Sequence, residues 1–141
     1  MENCVFCNIK DKEDEEIIWE NKDFIAFLDK KPITPGHVLL VTKKHVRFLM
    51  DTWNELFIKI MKIAKYLNEP IKNAVKSKTV GIMLSGFEVE HVHIHLVPRN
   101  KPGEFQNPQE EASKEELNRI ADKIRGEIER LIEERGPFPI D

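Results

Sequence analysis

No apolar run in this chain approaches the roughly 18 residues that a membrane-spanning helix needs, so no membrane association is expected. No apolar signal region follows the opening Met-Glu-Asn-Cys, and a cytoplasmic, reducing location is expected. Positive charge is not in excess. The 22 Lys and Arg stand against 25 Asp and Glu, a net charge of −3, so no basic field recruits nucleic acid and no specific nucleic-acid partner is expected. A Gly-rich phosphate loop is missing, as are internal repeats. Cysteine is scarce, with Cys4 and Cys7 the only two. In a reducing compartment their C-x-x-C spacing favours a metal or redox role over a structural disulfide. A redox motif would normally follow a strand, and only three residues precede Cys4. Two thiolates so spaced are half of a tetrahedral zinc site; without a second C-x-x-C, any remaining ligands must be His, Asp or Glu.

What is there suits one domain over 1–141: 141 residues, 40% of them hydrophobic, can bury a real core. Residues 10–16 are a charged loop. Residues 17–19 and 24–28 read as strands joined across Asn21-Lys22-Asp23, a hairpin. Asp29 ends the second strand, and two prolines and a glycine make 30–36 a loop. Residues 37–41, nearly all apolar, read as a central strand. Asp51 or Thr52 can cap a helix with an apolar stripe from Trp53 to Leu67; Pro70 is expected to end or kink it, and Ile71, Ala74 and Val75 can continue it. Residues 79–85 and 89–97 read as two further strands about a turn at Gly86, the last ended by Pro98. Ser113 and Glu116 resemble a capping box opening a second amphipathic helix, about 113–134, before Gly136-Pro137. Its charged face reads as solvated. Five short strands and two helices point to an α+β domain with a mainly antiparallel five-stranded sheet.

Of the five histidines, three stand at 91, 93 and 95. On a strand these share one face, and Val92, Ile94 and Leu96 share the other. The apolar face should pack on a core, which has no need of a row of imidazoles. Alternate strand residues lie roughly 6.6 Å apart, so His91 and His95 are about 13 Å apart. A metal with nitrogens at about 2 Å cannot take all three. Two neighbours share an ion, or each histidine has its own task; a histidine-rich metal tract is the compositional alternative. His37 opens a buried strand and would alone read as a structural residue. His45 is either a surface residue or a third zinc ligand.

The segment His91-Val-His-Ile-His-Leu-Val97 closely resembles the histidine triad (HIT) signature, H-φ-H-φ-H-φ-φ with φ apolar. Phe27-Leu-Asp29, Pro35-Gly-His37-Val-Leu and Lys44-His45 are similar to the first half of that family's pattern, in the same order. Cys4-x-x-Cys7 resembles its zinc-containing branch, and together the matches span residues 4–99. The resemblance implies a nucleotide-binding hydrolase or nucleotidyl transferase acting at the α-phosphate of adenosine phosphoramidates or dinucleoside polyphosphates. By position it makes His93 the nucleophile that carries a covalent nucleotidyl group, flanked by His95 and His37. It implies a structural zinc on Cys4, Cys7, His45 and His91. It gives Asp29 to the ribose of a purine, AMP-like nucleotide, and Phe6, Phe27 and Leu39 to the base pocket. It further implies a HIT-like fold and a homodimer joining two sheets. The chemistry is reasonable, because a neutral imidazole is a good nucleophile near pH 7 and neighbouring imidazoles can donate to developing negative charge.

Upstream of the triad the chain departs from that pattern. Leu84-Ser-Gly86 stands where the family has Asn-x-Gly, and the segment after it is shorter. Phe87-Glu88 replaces a Gln-Ser pair that donates to phosphate oxygens. Phe cannot donate, and an ionised Glu repels phosphate. Two other classes therefore stay open. One is a metallohydrolase with His91, His93 and His37 around a catalytic metal. The other is a non-enzymatic nucleotide-binding or scaffold protein with an altered phosphate loop.

Overall fold

The computed structural model describes residues 4–9, 15–84, 88–103 and 110–140. Among these residues there are five strands: β1 (Ile17–Glu20), β2 (Phe24–Leu28), β3 (Val38–Thr42), β4 (Thr79–Met83) and β5 (His93–Arg99). They form one sheet in the order β1-β2-β3-β5-β4, every neighbouring pair antiparallel. Helix α1 (Asn54–Val75) joins β3 to β4, and α2 (Lys114–Arg135) follows β5. The α+β expectation, five strands and two helices, holds.

Strand alternation sorts the core into two parts. Phe24, Ala26 and Leu28 of β2, Val38 and Leu40 of β3, and Ile94 and Leu96 of β5 meet Ile60, Ile63 and Leu67 of α1 and Leu117, Ile120 and Ile124 of α2. On the opposite face Ile25, Phe27, Leu39 and Val41 meet Phe6 and Ile9 from the N-terminal segment. A fully buried Leu, Ile or Phe contributes about 1.5–3 kcal/mol, so the larger helix-side cluster carries most of the burial energy. Among the described residues, the short segment 4–9 covers the other face, with room beside it for a site.

The ends of elements differ from their sequence reading. Ser113 caps α2 as expected, its Oγ accepting from the Glu116 N–H at 3.1 Å. Helix α1 instead starts behind Trp53, without a side-chain cap. Thr52 is used one turn earlier: its Oγ1 donates to Leu49 O at 2.6 Å and closes a 3₁₀ turn over Leu49–Asp51. Helix α1 runs through Pro70, the continuation that Ile71, Ala74 and Val75 allow. It continues to Val75 because buried Leu67, Pro70 and Ile71 pack into the core, offsetting the roughly 3 kcal/mol that an interior proline costs. Strand β5 passes through Pro98 to Arg99. Its pairing with β3 stops at Leu96, opposite Val38, so Pro98 has a ladder partner on the β4 side only, and one side of the strand is open there, a position at which proline is tolerated. On α2, Arg125 is not simply solvated. Its Nε donates to Ile17 O at 2.8 Å and its guanidinium pairs with Glu16 at 3.0 Å, tying the helix to β1.

Gly36 sets the entry to β3. Its φ is +92°, and a Cβ there would lie 2.8 Å from Val75 Cγ1 and 3.2 Å from Pro98 Cγ. Only glycine lets the loop turn so closely past the end of α1 and deliver His37 to the sheet.

Candidate active site and metal centre

The β2–β3 loop is closed at its base, where the Asp29 N–H donates to His37 O at 2.9 Å. Asp29 and His37 are thereby held side by side, and Leu39 sits opposite His95 in the β3–β5 register. His93 and His95 follow on β5, on the face away from the helices, with ring centroids 5.2 Å apart. His91 is not with them. The strand begins only at His93, and before it the chain is diverted, with the Val92 N–H donating to Val46 O at 2.7 Å. Two of the three imidazoles share the strand face, and the third is turned toward the N-terminal cysteines, as the resemblance to the zinc-containing branch implies.

Backbone partners decide where each ring carries its proton. His93 Nδ1 lies 2.7 Å from its near neighbour's carbonyl, His91 O. A carbonyl only accepts, so the proton is on Nδ1 and Nε2 keeps its lone pair. His37 Nδ1 accepts from the Ile33 N–H at 3.0 Å, which puts the His37 proton on Nε2. That nitrogen is 2.9 Å from His95 Nδ1, so it donates there, and the His95 proton is on Nε2. The result is a directed chain, Ile33 to His37 to His95, ending in an N–H donor beside a nucleophilic lone pair. Asp29 Oδ2 is 3.7 Å from His37 Nε2, and Oδ1 accepts from the Lys31 N–H at 2.9 Å. Burial raises the Asp29 pKa above the usual carboxylate range. Asp29, His37 and His95 are close enough to hold a metal. A metal on His37 Nε2 would force that ring's proton onto Nδ1, against the Ile33 N–H, so the hydrogen bonds favour proton order there.

A cavity of about 310 Å³ is lined by Phe6, Asp29, Leu39, Met83, Glu88, Val89, His93 and His95. Four expected residues thus meet in one place with His93: His95, Asp29, Phe6 and Leu39. Phe27 lies behind Phe6, its ring 6.2 Å away, as core. His37 is buried behind His95 and does not line the cavity; it acts on the site through that ring. Met83 and Val89 were not anticipated, since nothing about an apolar residue at a strand end marks it as lining. Glu88, the residue that replaces a phosphate donor, does line the cavity. Ser85, Gly86 and Phe87 lie outside the described residues.

The second cluster is Cys4, Cys7, His45 and His91, whose ligand atoms all lie within 4.8 Å of one another. Cys4 Sγ is 3.2 Å from His91 Nδ1, Cys7 Sγ is 3.2 Å from His45 Nδ1, and Cys7 Sγ is 3.5 Å from His91 Nδ1. Sulfur and nitrogen on one tetrahedral zinc would be about 3.6 Å apart, given bonds of about 2.3 and 2.0–2.1 Å, so the group fits such an ion. His91 is prepared for it: Nε2 donates to Thr42 O at 2.6 Å, leaving the Nδ1 lone pair toward the sulfurs. Thr42 escaped the sequence reading, although it is the one polar residue in β3. Desolvation, then the neighbouring Cys4, raises the Cys7 thiol pKa, a penalty that a dication would reverse. His91, His93 and His37 are not brought together as a ligand group among the described residues, so the metallohydrolase alternative has no centre there.

Burial lowers the His37 pKa to about 3, with His95 adding to the effect. Burial lowers His95 to about 4, with His93 adding to it. Unfolded imidazoles take protons near 6.5, and these folded ones do not until about 4 and 3. Between those limits the unfolded chain binds more protons, so stability falls as pH drops below about 6.5, by up to about 1.4 kcal/mol per pH unit for each ring. The urea midpoint is therefore expected to be lower at about pH 5 than at about pH 7.5; an equal midpoint at the two would contradict the buried, neutral pair.

The HIT domain family model matches residues 10–102. The adenosine 5'-monophosphoramidase HNT1 of Saccharomyces cerevisiae is 31% identical over 135 residues, covering 89% of this chain and 83% of that protein. Among solved structures, the hypothetical histidine triad nucleotide-binding protein ST2152 from Sulfolobus tokodaii superposes with a TM-score of 0.83 at 28% identity, covering 96% of this chain and 98% of the other. The Plasmodium falciparum diadenosine triphosphate hydrolase, in complex with Cyclomarin A, gives a TM-score of 0.68 at 26% identity, covering 89% of this chain and 81% of that one. With the family model matching residues 10–102, about two thirds of the sequence, the chain belongs to the HIT domain family.

Proposed function

We propose that this chain is a nucleotide hydrolase or nucleotidyl transferase that forms a covalent intermediate on His93. The observation that carries the reading is the His93 ring: Nδ1–H is spent on the His91 carbonyl, so Nε2 is nucleophilic on a residue that lines the cavity. Attack at the α-phosphorus makes the ring a positively charged nucleotidyl-imidazole, and the same carbonyl hydrogen bond strengthens as that charge appears. His95 Nε2–H donates to a phosphoryl or leaving-group atom, and His37 holds His95 in that tautomer. Asp29 accepts from the ribose hydroxyls, and Phe6 and Leu39 flank a purine base. Substrates of both relatives' kinds, adenosine phosphoramidates and dinucleoside polyphosphates, present the α-phosphate this chemistry needs.

Zinc is proposed for the Cys4, Cys7, His45, His91 group, where it would pin the N-terminal segment, and with it Phe6, against the site. Its role is structural, since all four ligand positions are protein-filled. The thiols suit a reducing, cytoplasmic location. A homodimer is supported by β4, an edge strand whose Ile82 is 44% exposed, by Leu84 just after it, 48% exposed, and by Phe48 and Met50, which line with Leu84 a hollow beside His91 and His93.

Three measurements test these readings. His93→Ala is expected to lower kcat/KM for adenosine phosphoramidate by at least about a thousandfold and to abolish an adenylyl adduct seen in the parent by mass spectrometry. AMP binding without adduct or turnover in the parent protein would instead indicate a binding protein. Cys4→Ser is expected to remove bound zinc, measured by elemental analysis, and to lower Tm by more than about 10 °C; parent protein without zinc after expression in zinc-supplemented medium would refute the metal assignment. Sedimentation should give a dimer for the parent chain and a monomer for Ile82→Lys, whereas a parent monomer would refute the assembly.

A further inference from the structure

His37 reaches His95 from a loop, and a loop holds a side chain less firmly than a strand does. The β3–β5 ladder ends at Val38 opposite Leu96, one residue short of His37. Before it the chain turns over Thr34-Pro35-Gly36-His37, with the His37 N–H donating to Thr34 O at 3.1 Å. Proline followed by a glycine at φ +92° at the two centre positions is the pattern of a type II turn. The Thr34 hydroxyl fastens this turn to β5. Its Oγ1 donates to Pro98 O at 2.6 Å, at the short end for such a bond. Pro98 lies beyond the last β3 partner, so its carbonyl takes the hydroxyl where a ladder bond from β3 has ended. The other ties of the loop are at its two ends: the Ala112 N–H donates to Lys30 O at 2.9 Å, and the Asp29 N–H donates to His37 O at 2.9 Å.

We propose that Thr34 is a positioning residue: its hydroxyl bond to Pro98 O holds the turn where His37 keeps the His95 proton on Nε2. For its effect on rate the inference rests on the nucleotidyl-transfer reading above; for its effect on the His95 ring it rests on the hydrogen bonds. Thr34 does not line the cavity. It acts through its neighbours in the chain. The Ile33 N–H donates to His37 Nδ1 at 3.0 Å, and His37 Nε2 donates to His95 Nδ1 at 2.9 Å. Ile33 stands directly before Thr34, and His37 is the last residue of the turn that Thr34 opens. A shift of the turn therefore loosens both bonds at once. With His37 slack, His95 Nδ1 is free to take the proton, and Nε2 then no longer donates. A β-branched side chain has few rotamers, so threonine aims its hydroxyl at Pro98 before the bond forms. Valine keeps that shape without the hydroxyl, and serine keeps the hydroxyl.

The test pairs Thr34→Val with Thr34→Ser. Nitrogen chemical shifts of the imidazoles, measured by NMR without substrate, report where each ring carries its proton. The parent is expected to show one tautomer at His37 and one at His95. Thr34→Val is expected to show a mixture at His95, and Thr34→Ser the single form again. In Thr34→Val kcat/KM for adenosine phosphoramidate should fall at least about tenfold, chiefly in kcat, while Thr34→Ser stays within about twofold of the parent. An unchanged His95 tautomer in folded Thr34→Val overturns the inference, whatever happens to Tm. So does a Thr34→Val rate within about twofold of an active parent's, and so does a Thr34→Ser that behaves like Thr34→Val. Should Thr34→Val fail to fold, amide exchange in the parent decides: the Ile33 N–H should exchange at least about a hundredfold more slowly than an unprotected amide, and unprotected exchange overturns the anchor. A parent with neither turnover nor adduct overturns the nucleotidyl-transfer reading, and the tautomer measurement still decides this inference.

Discussion

The 2.7 Å hydrogen bond from His93 Nδ1 to the carbonyl of His91 is the contact on which the site depends. It converts a symmetrical imidazole into one with a defined donor and a defined lone pair. It exists only because the chain leaves the strand before His93, so that the carbonyl of His91 is turned toward the next histidine and not into a ladder. That departure is held by Val46, by Thr42 on the His91 ring, and by the cysteine cluster on the other side of that ring. The two histidine-bearing groups therefore share one segment: the group suited to a metal shapes the backbone that orients the His93 ring.

His37 and His95 show the same logic. Each proton position traces back to a backbone group, here the Ile33 N–H. A pair of neutral rings in a desolvated place keeps its order because any added charge would be poorly solvated. Gly36 and the closed base of the β2–β3 loop are what make this pairing possible, since they bring a loop histidine to the back of a strand histidine.

Much of the fold was readable because strand alternation and helical periodicity are local signals. Phe24 to Leu28, the α1 stripe and the Ser113 cap behave as their patterns say. Where the structure departs from a local preference, tertiary packing outweighs it. Pro70 is carried through a helix by its buried neighbours, and Pro98 through a strand by the absence of a second partner. Thr52 closes an earlier turn than the one it was expected to cap. Phe27 has the composition of a pocket residue and the position of a core one.

Residue order alone was enough to single out the histidines and cysteines that the fold gathers into two groups, because their type and spacing are written in the chain. It was also enough to set the helical and pleated faces, which follow from backbone geometry. The proton position on each ring was beyond it, as were the burial of His37 behind His95 and the place of Glu88 on the cavity wall. Those depend on contacts between residues as far apart as 37 and 95, and such contacts exist only when the sheet has closed and water has left its face.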